Sequence, residues 1–168
     1  MRVPAKNLVG EENRGWYVGA ALLDFERSNI AGSIGLRHSV RDLVRFVKEE
    51  QIELSNEVQM ELAERAVEAE IGRLISYRVI TMQKRGEIPN HEASMNKLFR
   101  SEANQRIALT GTHILGMYTN LYRGENLAPL NGRFSHAYVQ SVSGTIAAGT
   151  SEINRNVIAT RGLGLPRG

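Results

Sequence analysis

From Asn13 onward, apolar positions recur every three or four residues. Leu22, Leu23, Ile30, Ile34, Val40, Leu43, Val44 and Val47 mark one face, and Arg37, Arg41, Arg45 and Lys48 take the other. That is the period of an amphipathic helix, with a short break expected between Asp24 and Asn29. Gly32 and Gly35 sit inside the pattern at a cost of ~1 kcal/mol each against alanine, a cost that close helix packing would justify. "LSNEVQ" is a second start signal: Asn56 is placed to cap, and Gln59 stands three residues on, as in a capping box. Val58, Leu62, Ala66, Ile71, Leu74, Ile75 and Val79 carry this helix to Lys84. "RGEIPN" is a turn, in which Gly86 ends one helix and Asn90 caps the next. Met95, Leu98, Phe99, Ala103, Ile107 and Leu109 give the next helix an apolar face that fades near Gly116. Residues 122–134 read as loop, 135–142 as a short helix, and 150 to about 161 as the last helix.

The start of the chain differs. "RVPAKNLVGEE" has no helical period and resembles a strand end followed by a linker. After it, no segment alternates as a strand. Three long helices with short links and a shorter fourth predict an all-α fold, an antiparallel four-helix bundle with an additional short helix.

Composition narrows the function classes. The 168 residues suit one domain, and 42% apolar with 23% charged is ordinary for a globular protein. No run reaches the eighteen or so apolar residues of a membrane span. The first residues lack the apolar core of a signal peptide, so a cytoplasmic location is expected. The absence of cysteine excludes disulfides, thiolate nucleophiles and cysteine-ligated zinc. A net charge of +3 is compatible with an anionic ligand, but the basic residues are too dispersed for nucleic acid. His38, His91, His113 and His136 have no zinc-site spacing, and "HEASM" lacks the second histidine of a metalloprotease motif. Ser143 and Ser151 have no nucleophile context, and neither common phosphate-binding glycine loop is present.

Two stretches remain. In "GWYVGAALLDFERSNIAG", Asp24, Glu26 and Arg27 interrupt an apolar helical surface. On spacing alone the favoured reading is structural, with Asp24 capping and Glu26 paired at the surface. The competing reading is a carboxylate among apolar groups, raised in pKa and usable as a general base. In "AAGTSEINRNVIATR", Thr150 or Ser151 can cap a helix, and Glu152 complements its dipole.

Taken together, "NLVGEENRGWYVGAALLDFERSNIAG" and "AAGTSEINRNVIATRGLGLPR" resemble, in order and separation, two characteristic segments of the acyl-CoA dehydrogenase C-terminal helical domain. The resemblance covers nearly the whole chain. It implies residues 1–11 as the tail of a middle β domain and 12–168 as the helical domain, one piece of a larger or divided enzyme. It also implies FAD as cofactor, an acyl-CoA substrate and α,β-desaturation of the thioester. Electron-transfer flavoprotein is the implied electron acceptor, and a dimer, tetramer or hetero-oligomer the implied assembly.

Family members place the base at one of two positions, directly before the "GTS" segment or before an arginine on the earlier helix. Here the first is Ala148 and the second is Glu26, so the resemblance assigns the base to Glu26, as in the isovaleryl-CoA and long-chain types. Tyr17, Asp24, Phe25 and Arg27 match substrate-contacting positions, with core packing as the other reading of Tyr17 and Phe25. Ala148 and Gly149 match thioester-contacting positions, where the backbone N–H before the glycine serves and an alanine suffices. Thr150, Ser151 and Glu152 match flavin contacts.

Two departures concern the phosphate and adenosine side of the flavin. The arginine and phenylalanine-glycine expected after the long second helix are replaced by "VRFVKEEQIELSNE", and the glutamine-phenylalanine-diglycine segment by "HILGMYTN". They keep two alternatives open: a non-catalytic oligomerisation module of the same fold, and a flavin-dependent oxidase distinguished by peroxide formation.

Overall fold

The structure is a computed structural model that describes residues 2–26 and 30–166, and no side chain within 23–30. Its elements are helices: α1 (Gly15–Glu26), α2 (Ile30–Glu49), α3 (Asn56–Lys84), α4 (His91–Leu115), α5 (Arg133–Gly144) and α6 (Ser151–Val157). Among the described residues there is no strand, so the all-α class stands. The N-terminal segment read as a strand end is instead an exposed stretch with one 3-10 turn at Ala5–Asn7. A strand needs a partner to satisfy its backbone groups, and none of the described segments supplies one.

The helix boundaries follow local chemistry. The cap of α3 is Ser55, one residue before the Asn56 expected from the sequence; its hydroxyl accepts from the Val58 N–H at 3.4 Å. Gln59 donates to the Leu54 carbonyl at 3.0 Å rather than closing a capping box. At the other end, Gly86 takes φ +78, with Glu87 N–H bonding Met82 O and Gly86 N–H bonding Gln83 O, both at 3.0 Å. This is a Schellman closure, which needs a residue tolerant of positive φ. Asn90 precedes α4, as expected, but makes no side-chain cap bond.

Helix α4 is the hub: it packs against α1, α2, α3, α5 and α6. The core comprises Leu36, Val40 and Leu43 of α2, Ala69 of α3, Ala103, Ile107, Ile114 and Leu115 of α4, and Phe134 of α5. The inner faces of α3 and α4 differ from the expected ones. Ile71, Leu74, Met95 and Leu109 are exposed, whereas Arg65, Gly72, Ser76, Asn96, Lys97 and Ser101 are buried. Small residues let the central helices approach, and the buried polar groups pair across them. Ser76 joins Ser33 at 2.6 Å and Asn96 at 2.9 Å, and the half-buried Glu68 of α3 accepts from Arg106 of α4 at 2.7 Å, with Arg65 of α3 an ion-pair neighbour at 3.1 Å. Of the two α2 glycines, Gly32 lies against the Arg100 side chain, while Gly35 has open space beside it and serves no close packing.

Candidate functional site

The first candidate stretch forms α1. Tyr17 is 65% exposed in this chain, with the Arg14 guanidinium 4.7 Å from its ring centroid. Trp16 beside it is 78% exposed, and Leu22 is also exposed. The backbones of Asp24, Phe25 and Glu26 close α1; their side chains, and Arg27 entirely, lie outside the described residues.

The second stretch is a built turn. Ala148 has φ +55 and Gly149 φ +95. Holding a residue with a Cβ in the left-handed region costs roughly 1–2 kcal/mol, so the surroundings must impose this conformation. They do so from α4 and α6. The Lys97 ammonium donates to the Gly149 carbonyl at 2.6 Å, and Asn154 Nδ2 donates to the same oxygen at 2.8 Å. Asn154 Nδ2 also bonds the Thr150 carbonyl at 2.8 Å. Lys97 is only 2% exposed and Asn154 is fully buried. Thr150 then caps α6, accepting from the Ile153 N–H at 3.3 Å, and Ser151 N–H bonds Thr145 O at 3.0 Å.

Glu152 is exposed at the head of α6. Its own backbone N–H, then the Thr150 hydroxyl, hold its carboxyl below the usual range, with smaller help from the charges of Arg155 and Lys97. The structure thus gathers Ala148, Gly149, Thr150, Ser151 and Glu152 into one turn and helix start. Sequence reasoning missed Lys97 and Asn154. The available signal was a lysine four residues after Ala93 on the inner stripe of α4, and an asparagine one turn beyond Thr150.

Thr150, Ser151 and Glu152 also border a polar hollow of about 420 Å³, shared with Glu102, Gln105, Arg106, Thr145, Ile146 and Arg155. Hydroxyl, amide and guanidinium donors beside carboxylate acceptors suit a heterocycle edged with N–H and C=O groups.

The other end is where the resemblance expects the flavin's diphosphate. The two departing segments meet in one groove of about 780 Å³. Phe46, Glu50 and Ile52 line it from one side, and His113 to Tyr118 with residues 126–129 from the other. Among the described residues no lysine or arginine lines it, and His113 is engaged by Glu61 at 3.0 Å. Besides apolar groups it holds Glu50, the engaged His113, Tyr118 and Asn126, none of them a fixed cation to offset the two negative charges of a diphosphate.

A helical domain of this architecture, with a backbone-built turn heading its last long-range element, defines a class before any name is needed. Residues 13–163 match the sequence model described as "Acyl-CoA dehydrogenase, C-terminal domain", and the chain belongs to that family. Members of the family are FAD-dependent flavoproteins. The chain is 30% identical to "Acyl-CoA dehydrogenase FadE26" of Mycobacterium tuberculosis over 99% of its own length and 44% of that protein's. It superposes on the "Tcur3481-Tcur3483 steroid ACAD" with a TM-score of 0.88 at 28% identity. For the ChsE4-ChsE5 complex from Mycobacterium tuberculosis the TM-score is 0.81 at 28% identity. In both structures the match covers 99% of this chain and 44% of the other. The chain therefore spans under half the length of these relatives.

Proposed function

We propose that this chain is the C-terminal helical part of an FAD-dependent enzyme that desaturates an acyl-CoA thioester between its α and β carbons, with Glu26 as the base. Residues 1–11 are the tail of a middle β domain and 12–168 the helical domain, in a cytoplasmic enzyme. The observation that carries the reading is the left-handed Ala148–Gly149 turn, doubly bonded from within. An alanine held there has no side-chain chemistry to offer, so the turn works through its backbone.

The Glu26 carboxylate takes the α proton. As that C–H bond breaks, negative charge grows on the thioester oxygen, and the Ala148 N–H is the preorganised donor for it. The β hydrogen leaves with its electron pair, and the double bond forms between the two carbons. When bound, FAD supplies the acceptor for that hydride. Thr150, Ser151 and Glu152 hold the flavin side of the site; Tyr17, Asp24, Phe25 and Arg27 border the substrate. Electron-transfer flavoprotein collects the electrons.

In the complete enzyme, Glu26→Gln abolishes flavin bleaching by acyl-CoA while FAD stays bound. Bleaching at a near-normal rate in that variant overturns the assignment of the base.

A second reading concerns assembly, and the groove favours it. A chain with flavin contacts expected at residues 150–152 but no fixed cation for a diphosphate at 113–118 suits a mixed oligomer. In it, this chain completes one flavin site and a different chain provides the diphosphate contacts. A structural relative, the ChsE4-ChsE5 complex, joins two differently named chains.

A further inference from the structure

Helix α3 packs one side against α2 and α4. On its other side Met60, Ala63, Val67, Ile71, Leu74 and Tyr77 are all exposed. They recur every three or four residues over about five turns, the spacing of one helix face. So long an apolar stripe facing water is the mark of a surface that another element covers. Ala63 leaves a shallow hollow of about 400 Å³ between Met60 and Val67, a seat for a side chain of a facing helix. The charges along α3 are just as ordered. Residues 56–70 carry Glu57, Glu61, Glu64, Glu68 and Glu70 against Arg65 alone, whereas residues 71–84 carry Arg73, Arg78 and Lys84 and no acid. Several of these are used inside the chain: Glu61 by His113, Glu68 by Arg106, and Glu70 by Arg37 and Arg73. Glu64 and Arg78 flank the stripe. Glu64 touches Arg65 and Arg78 lies 3.7 Å from Glu92, yet their side chains stay 63% and 70% exposed.

We infer that the outer face of α3 docks, antiparallel, on the same face of a second copy of this chain. A two-fold contact must be complementary to itself, and this face is. The midpoints of Met60 and Thr81, of Glu64 and Arg78, and of Val67 and Leu74 all fall at residue 70 or 71. Turning a second α3 about that point sets Leu74 of each copy against Val67 and the hollow of the other. The same turn sets Glu64 of each copy beside Arg78 of the other, and brings the two Ile71 side chains together near the axis. A parallel pairing sets the acidic halves against each other and is disfavoured by like-charge repulsion. The inference does not depend on the flavin reading. It is compatible with an unlike chain elsewhere in the assembly, which then holds two copies of this one.

The test uses the complete protein in its purified assembly. These 168 residues contain no cysteine, so a single thiol placed in α3 is a clean probe. Ile71→Cys, treated with a short bismaleimide, gives a covalent dimer of this chain, and mass spectrometry of the digest maps the link from 71 to 71. Glu57→Cys gives no link from 57 to 57, because antiparallel copies hold those positions ~40 Å apart along the axis. Leu74→Glu is made beside them. Leu74 is exposed in the chain, so the fold survives, but the new acid faces the acidic half of the second copy. Sedimentation then shows self-association weakened at least about 10-fold, and the assembly parts into species with one copy each. Absence of the 71-to-71 link overturns the inference, as does a link from 71 to an unlike chain. Links at 57 as abundant as those at 71 overturn the antiparallel arrangement. An unchanged copy number in Leu74→Glu also overturns the inference, as does a wild-type assembly with only one copy of this chain. Failure of the wild type to oxidise acyl-CoA removes the proposed function and leaves each of these outcomes as decisive as before.

Discussion

Ala148 occupies a conformation that its own side chain opposes. Its φ of +55 is tolerable because Lys97 and Asn154 hold the next carbonyl and because its side chain is a single methyl. A branched side chain meets far greater opposition in the left-handed region. Ala148→Val therefore destabilises the chain by about 2 kcal/mol or more, seen as a fall in thermal midpoint. Ala148→Gly relieves the Cβ clash while adding freedom to the unfolded chain, so its midpoint stays close to that of the wild type or rises slightly. Equal effects from valine and glycine would contradict the strained geometry. The identity of residue 148 was legible in the sequence; its backbone state was not, because the donors that impose it come from residues 97 and 154.

At the level of elements, α4 and α5 meet through a glycine. A Cβ on Gly111 would lie 2.2 Å from Phe134 Cδ1 and 2.8 Å from Cε1, while Phe134 itself is almost wholly buried. A ring fixed in a core cannot swing away as an exposed side chain can. Gly111→Ala should cost about 1–3 kcal/mol by overpacking, despite the better helix propensity of alanine. Phe134→Leu in the same background should recover part of the loss, and equilibrium denaturation measures both. Helix existence was read well from the three- and four-residue period, including the ends of α3 and α4 at Gly86 and Gly116. The inner faces were read less well. Periodicity assigns apolar residues inward, but in α3 Ile71 and Leu74 face out, while Gly72 and Ser76 face in. Helix proximity and the Ser33–Ser76–Asn96 pairing selected small polar residues there, and no local pattern announces a partner twenty or more residues away.

On the scale of the molecule, the chain joins a polar hollow beside Thr150, Ser151 and Glu152 with a groove that no lysine or arginine lines among the described residues. If each complete chain carried its own full flavin site, the intact assembly would hold one flavin per chain. The proposed mixed arrangement predicts instead about one flavin for every two chains, in an assembly with a second, different polypeptide. Flavin absorbance against quantitative amino-acid analysis of the co-purified complex measures the ratio. A homo-oligomer with one flavin per chain would contradict the mixed arrangement. By itself the chain, lacking the rest of the site, is expected to show no stoichiometric flavin band.

The sequence alone determined the helical class, most helix ends and the family, because hydrophobic period, turn residues and the paired "LDFER" and "AGTSE" segments are local properties. It also revealed both departures from the family's flavin motifs, though as separate absences far apart in the chain. Only the tertiary structure decided that these departures share one groove, that Tyr17 stands exposed, and that a lysine is buried behind Gly149. Each of those facts depends on which helices α4 touches. A hub helix takes its burial from five neighbours at once, and no window of sequence contains them all.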